Sequence, residues 1–224
     1  MSSPSEKTVT ARANANIALV KYWGKRSGDP GRNLPAVGSF SITLDGLSTS
    51  TSVTLDPTRA ADEFLRDGEP RPHEAARVVG FMDRVRQLAG SKTSARIDTA
   101  NSFPTGAGLA SSASGFAALA KAAATAYGLE LDDRELSMLA RDGSGSAARS
   151  IFGGYVRWHR GDAADGSDSF AEPVFGPGHW PLRVLVAVTD EAAKATGSTD
   201  GMRLTQETSP YFERWVADQP ADLA

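Results

Sequence analysis

Three short segments of this 224-residue chain hold residue types and spacings suited to gripping anions, and a fourth is a weaker version of them. Pro104-Thr-Gly-Ala-Gly-Leu-Ala-Ser-Ser-Ala-Ser-Gly115 joins an expected strand to an expected helix. Gly106 and Gly108 let backbone amides come close to a ligand, the helix adds the positive end of its dipole, and Ser111, Ser112 and Ser114 add hydroxyls. That is a phosphate cradle, although no Gly-Lys-Ser/Thr closes it as in a Walker A loop. On the glycine pattern alone, a serine-capped turn before a core helix fits as well.

The second segment runs from Ala13 to Lys25 and ends an apolar strand in two lysines, Lys21 and Lys25, which bracket Tyr22, Trp23 and Gly24. Two ammonium groups beside a phenol suit a polyanion; taken alone, they also suit solvated lysines with aromatics plugging the sheet end. In the third, Asp142-Gly-Ser-Gly-Ser-Ala-Ala-Arg-Ser150, Ser144 and Ser146 stand at an expected helix start with Arg149 three residues beyond Ser146. One face then offers hydroxyls, free amides and a guanidinium to a phosphate or carboxylate. An ordinary N-cap followed by a surface arginine is the commoner use of such a segment. Thr196-Gly-Ser-Thr-Asp-Gly-Met202 repeats the glycine and hydroxyl pattern at another helix entry.

The rest of the composition narrows the chemistry. There is no cysteine, and His73, His159 and His179 are scattered, so neither a disulfide framework nor a zinc-thiolate site is available. With 24 basic against 27 acidic side chains the formal charge is -3, which supplies no global field for nucleic acid or anionic lipid. Met1 to Thr8 has no apolar signal region, and nothing approaches the ~20 apolar residues of a membrane span. A cytoplasmic protein without nucleic-acid or membrane partners is expected.

The elements that must position these segments follow from periodicity. Lys7 to Asn14 and Ile17 to Val20 read as two short strands, and Phe40 to Leu44 and Thr49 to Leu55 as a pair turning at Asp45-Gly46. Asp56 to Pro72 is expected as a loop. Val78, Met82, Val85 and Leu88 recur at helical spacing within His73 to Leu88. Ser94 to Thr99 returns as a strand and leads to a helix over 109–127 with Phe116, Leu119, Ala120, Ala123 and Tyr127 on one face, stopped at Gly128. Asp132 and Glu135 have capping-box spacing, a short helix covers Ser144 to Ile151, and Tyr155 to Trp158 is a strand. After an acidic loop from Gly161 to Gly178, Leu182 to Thr189 reads as an apolar strand and a last helix begins near Asp200. Asp218 to Ala224 trails off. A boundary near Pro181 divides the chain into 1–180 and 181–224, and the second part would then hold one strand with two unpaired edges.

In this order the segments resemble the GHMP kinase superfamily and, within it, the diphosphomevalonate decarboxylase family. The resemblance rests on Asn16-Ile-Ala-Leu-Val-Lys-Tyr-Trp-Gly-Lys25, Asn33-Leu-Pro35, Phe103-Pro-Thr-Gly-Ala-Gly-Leu-Ala-Ser-Ser112, Gly143-Ser-Gly-Ser-Ala-Ala-Arg149 and Gly197-Ser-Thr-Asp-Gly-Met202. It implies an α+β, GHMP-kinase-like two-domain fold with a ribosomal protein S5 domain 2-like N-terminal domain. It also implies an ATP- and Mg2+-dependent reaction: the 3-hydroxyl of mevalonate 5-diphosphate is phosphorylated, then phosphate and CO2 leave to give isopentenyl diphosphate.

Carried over by motif, Pro104, Gly106, Ala107, Gly108, Leu109, Ala110, Ser111 and Ser112 would hold ATP, with a serine of the loop near Mg2+ or the transferring phosphoryl group. Tyr22, Lys25, Ser144, Ser146, Arg149 and Met202 would meet the substrate, and Lys21, Ser112 and Arg149 would act in catalysis, Arg149 by clamping the carboxylate. No protein metal ligands are implied, and a homodimer is. The sequence departs from the family at Ala36-Val37-Gly38, where hydroxyl or amide side chains are usual. It also lacks the Phe-Asp-Ala-Gly-Pro-Asn segment whose aspartate serves as base, in a further stretch of roughly a hundred residues. Asp142, Asp190 and Asp200 do not replace it, and a truncated second domain is expected. The alternatives are a relative acting on the monophosphate, one stopping at 3-phosphorylation, or a binding fragment without turnover.

Overall fold

A computed structural model describes residues 7–26, 31–104, 111–187 and 196–224. Its frame is a long antiparallel pair, β1 (Lys7–Val20) and β2 (Ser39–Asp56), with Lys7 opposite Leu55 and Val20 opposite Phe40. Each was expected as two strands. The two halves of β2 face the same partner instead of each other, so Asp45-Gly46 is a bend and not a hairpin turn. Leu44 to Leu47 are taken up as a bulge opposite Ala15, where the register jumps from Asn14–Ser48 to Asn16–Thr43, and Gly46 adopts φ +84° there.

The other edge of β2 is shared. Its second half pairs with β5 (Ser94–Asn101) and its first with β6 (Tyr155–Trp158). β3 (Glu63–Arg66) lies parallel to β5, reached through the crossover helix α1 (Pro72–Ala89), and β4 (Glu69–Pro70) folds back on β3. β7 (Ala171–Phe175) extends the sheet beyond β6. β3, β4 and β7 fall in segments expected as loops; each is short and recruited by a neighbour's open edge, which no local pattern announces.

Helix α1 buries Val78, Phe81, Met82 and Val85 and ends at Gly90 with φ +60°, while Leu88 stays 47% exposed. α2 (Ser111–Ala126) is buried on nearly every side, not one face, because its alanines let the sheet, α1 and α3 all approach. It closes as expected at Gly128, φ +73°, with Leu129 N–H bonded to Ala124 O. α3 (Asp133–Gly143) starts with the capping box of Asp132 and Glu135, and a 3-10 helix follows over Gly145–Ile151.

Residues 181–187 form no ladder, although their apolar run reads as strand; residues 188 and 189 lie outside those described. α4 (Ser198–Thr208) begins where expected. A further helix, α5 (Phe212–Asp222), occupies the stretch expected to trail off. Gln219 Nε2 donates to Gly38 O at 2.7 Å, and a Cβ on Gly24 would fall 2.6 Å from Phe212 Cζ, so Gly24 and Gly38 seat this helix. Among the described residues no helix is long and apolar enough to cross a membrane.

Candidate functional site

The end of β1, the turn after it, and the starts of α2, the 3-10 helix and α4 enclose a cleft of about 690 Å3. Lys21, Tyr22, Lys25, Ser111, Ser112, Ser144, Ser146, Arg149 and Met202, far apart in sequence, all line it. So do Asn16, Asn33, Arg77 and Thr199, which the motif reading did not single out, and no carboxylate is among the described lining residues.

Arg149 lies deepest, 3% exposed. In a 3-10 helix residues three apart eclipse, which puts its side chain above Ser146 on the cleft side. Its Nε and Nη2 donate to Asn16 Oδ1 at 3.3 and 3.0 Å, its Nη1 donates to the Ser39 hydroxyl, and the guanidinium lies 5.8 Å from the Trp158 ring centroid. Asn16 is oriented in turn, donating from Nδ2 to Ser150 Oγ at 2.8 Å and Ser146 O at 3.0 Å. Every partner of Arg149 is neutral. Burial lowers its pKa to about 10, and a guanidinium kept charged in such a place favours an incoming anion.

Tyr22 is 7% exposed and meets Trp158 edge-on, centroids 4.7 Å apart. Burial pushes its phenol up to about 12 against the opposing charges of Arg149 and Arg77, so it is a neutral donor at physiological pH. Gly145 makes room for it, since a Cβ there would sit 2.7 Å from Tyr22 Oη. Lys25 Nζ donates to Asn33 Oδ1 at 2.7 Å and reaches Thr199 Oγ1 at 3.5 Å, while its main chain exchanges two hydrogen bonds with the Gln206 amide. Desolvation, then the charge of Arg77, lowers its pKa. Lys21 Nζ stands 5.9 Å from the Trp23 ring centroid.

Ser112 Oγ and Ser144 Oγ are 3.4 Å apart, which joins the start of α2 to the Gly-Ser-Gly-Ser segment; Ser144 makes no N-cap hydrogen bond. Ser114, read as a ligand hydroxyl, points the other way. It is buried against β2 with its hydroxyl 2.7 Å from Thr49 Oγ1, because the third residue after Ser111 faces the sheet. Pro104 also lies elsewhere, lining a separate cavity with Ile42, Leu44, Tyr155 and Trp180. Gly106, Ala107, Gly108, Leu109 and Ala110 lie outside the described residues, as does Asp190. Asp142 turns from the cleft to Arg141 and Arg84.

Beside the cleft and sharing Ser111, Ser112 and Arg77 with it, a smaller cavity of about 280 Å3 runs between α1, α2 and the sheet. Its walls combine Phe64, Val78, Phe116 and Leu119 with Thr51, Thr99 and Asn101, and the ion-paired Arg66 and Glu74 stand at its side. An apolar slot with a few polar groups, opening onto hydroxyls and a cation, suits a flat base carrying phosphates. Of the unforeseen residues, Asn16 and Asn33 lie within motifs already noted, as buried polar positions beside apolar ones; Ser39 and Arg77 carry no local signal at all.

Known proteins are similar to this chain in sequence and in fold. The profile of the diphosphomevalonate decarboxylase-like N-terminal domain matches residues 13–171. The diphosphomevalonate decarboxylases of Aspergillus fumigatus and of Homo sapiens are each 42% identical, over 95% and 96% of this chain. The chain spans 57% of the length of each. The mevalonate diphosphate decarboxylase of Staphylococcus aureus superposes with a TM-score of 0.86 at 38% identity, over 97% of this chain and 65% of that one. A structure described as MDDEF in complex with MVAPP, AMPPCP and magnesium gives 0.84 at 39% identity, covering 98% and 66%.

Proposed function

Since the chain belongs to the diphosphomevalonate decarboxylase-like family, we propose that it serves ATP-dependent decarboxylation of mevalonate 5-diphosphate to isopentenyl diphosphate, in the mevalonate route of isoprenoid biosynthesis. The observation that carries this reading is Arg149, a buried guanidinium with only neutral partners in a cleft whose described walls hold cations and no carboxylate. A substrate with a carboxylate at one end and a diphosphate at the other matches those charges.

In this reading Arg149 holds the carboxylate, aligned by Asn16 and Ser39 so that the bond to be cleaved keeps one orientation. Tyr22, Lys25, Ser144 and Ser146 take the diphosphate, Lys21 lies toward the reacting end, and Met202 walls the pocket. Ser111 and Ser112, with Pro104, Gly106, Ala107, Gly108, Leu109 and Ala110, accompany the nucleotide, and the smaller cavity takes its base. The donor set fits ATP on two counts, the apolar slot and the hydroxyls opening from it. It fits Mg2+ only as an ion carried by phosphate oxygens, since among the described residues no cluster of acidic or imidazole side chains could hold a metal. MgATP, when bound, supplies the phosphoryl group that turns the tertiary hydroxyl into a leaving group. Lys21 and Arg149 then neutralise anions without bringing a carboxylate near the positive charge that develops as phosphate departs. A division into 1–180 and 181–224, a cytoplasmic location and a homodimer belong to the same reading; the family match ending at 171 supports the first.

One observation favours a second reading, binding without turnover: no described carboxylate lines the cleft to accept the hydroxyl proton. A coupled assay of ADP and CO2 with MgATP and mevalonate 5-diphosphate, run beside a thermal melt, separates the two. Equal release of ADP and CO2 establishes the decarboxylase. A substrate-dependent rise in Tm without turnover establishes the binding reading. Neither turnover nor a shift refutes both.

A further inference from the structure

We infer that Gln206 is a positioning residue of the anion cleft: its side-chain amide fixes the main chain of Lys25 and so sets where the Lys25 ammonium meets the substrate diphosphate. The inference rests on the reading above and adds a residue that lies outside every motif.

Lys25 stands opposite Pro35 in an antiparallel bridge, flanked by Ala36 N–H donating to Gly24 O and Arg26 N–H donating to Leu34 O, both at 3.1 Å. In that register the N–H and C=O of Lys25 itself point to the other edge, away from Pro35, which has no N–H to give. Gln206 takes both. Lys25 N–H donates to Gln206 Oε1 at 3.1 Å and Gln206 Nε2 donates to Lys25 O at 2.9 Å, so the carboxamide stands where the peptide of a neighbouring strand would. Only one orientation of the amide satisfies the two bonds together.

The place of Gln206 follows from α4. Met202 is the buried residue of that helix and lines the cleft, and Gln206, four residues on, lies on the same face one turn further. With so little of α4 buried, its seat beside the turn depends on polar contacts, and the reciprocal pair with Lys25 supplies two of them. Lys25 is thereby held at both ends, by Gln206 at the main chain and by Asn33 Oδ1 at Nζ. The partners of the ammonium, Asn33 at 2.7 Å and Thr199 at 3.5 Å, are neutral, so its charge is kept for an anion. A charge on a flexible four-carbon stem is placed no better than the backbone that carries it, and a fixed backbone spares the ligand the cost of ordering it.

The test joins hydrogen exchange of the Lys25 amide to calorimetric titration of magnesium–AMPPCP onto the free protein and of inorganic pyrophosphate onto protein saturated with it, for wild type, Gln206→Met and Leu204→Gly. Methionine keeps the length of glutamine and makes neither bond. Leu204 is 55% exposed on the same helix, and glycine there loosens α4 while leaving the amide in place. The expected result for Gln206→Met is loss of protection at the Lys25 amide and a fall in pyrophosphate affinity of about threefold to tenfold, with magnesium–AMPPCP affinity unchanged. Leu204→Gly should stay within about twofold of wild type in both titrations. Equal losses of pyrophosphate affinity in the two variants would make Gln206 a mere anchor of α4 and overturn the proposal. So would unchanged pyrophosphate affinity in Gln206→Met, or a Lys25 amide that exchanges freely in the wild type. Wild-type protein that binds neither probe would instead bring down the reading of the site itself, and this one with it.

Discussion

Lys25 is aimed by Asn33, whose Oδ1 accepts from Lys25 Nζ at 2.7 Å while its Nδ2 donates to the carbonyls of Arg141 and Asp142 at 3.0 and 2.9 Å. Asn33 holds φ +48°, a left-handed conformation that asparagine tolerates better than most residues. The amide thus cannot turn over without losing all three bonds, and the end of α3 sets where the ammonium group stands. Arg141 stiffens that end: it is 1% exposed and donates to the carbonyls of Arg32, Gly166 and Ser169.

Asn33→Ala is expected to remove the three bonds and strain the backbone, costing about 1–3 kcal/mol in chemical denaturation, and to weaken pyrophosphate binding. Asn33→Gly relieves the strain yet frees Lys25 just as fully. It should recover stability relative to Ala without recovering pyrophosphate affinity. Restored affinity in the glycine variant would show that Asn33 shapes the loop and does not aim the lysine.

Arg149→Met separates the two ligands. The variant keeps most of the side-chain volume and removes a buried charge, so the fold is expected to survive. The rise in Tm given by mevalonate 5-diphosphate should disappear while that given by magnesium–AMPPCP remains. An unchanged response to mevalonate 5-diphosphate would take the carboxylate clamp away from Arg149.

Gly145→Ala tests how Tyr22 is seated. The new methyl would lie 2.7 Å from Tyr22 Oη and 2.9 Å from Cζ, and the ring cannot swing aside without leaving Trp158. A loss of about 1–3 kcal/mol is expected, with a change in tryptophan fluorescence from altered packing at Trp158. Gly153→Ala, also outside the positive-φ region and with nothing within 4 Å of the added methyl, is the control for a glycine substitution without a steric conflict. A loss at Gly145 no larger than that at Gly153 would mean that no steric conflict exists at Gly145.

Elements defined by local chemistry were legible in the sequence: the capping box of α3, the glycine stop of α2, and the helical spacing of Val78, Met82 and Val85. The misreadings share one cause, which is distance. Asp45-Gly46 looks like a hairpin turn until β1 is seen to pair with both sides of it, and β7 exists only because β6 offers an edge. Val184 and Val186 read as strand, yet no described neighbour supplies the ladder. In the cleft, Lys21, Lys25, Ser144, Ser146 and Arg149 stood out by type within their motifs, whereas Arg77, alone on α1, did not. Asn16, Asn33 and Ser39 work by orienting those residues, so their importance appears only once the partners are placed.

The phenol of Tyr22 gives the fold a pH dependence of definite sign. Burial raises its pKa from 10.0 to about 12 in the folded chain, so between those values the folded state binds more protons than the unfolded state. Stability contributed by the neutral phenol is therefore complete below pH 10 and is lost as the pH climbs toward 12. Two units correspond to roughly 2–3 kcal/mol at full effect. Lysines and other tyrosines also titrate in this range, so the quantity to measure is the difference in unfolding free energy between wild type and Tyr22→Phe. That difference should be flat from pH 7 to 9.5 and should shift against the wild type by about 1 kcal/mol or more by pH 11. A flat difference across the whole range would mean that Tyr22 titrates normally, and that its hydroxyl lies open to solvent instead of under Gly145.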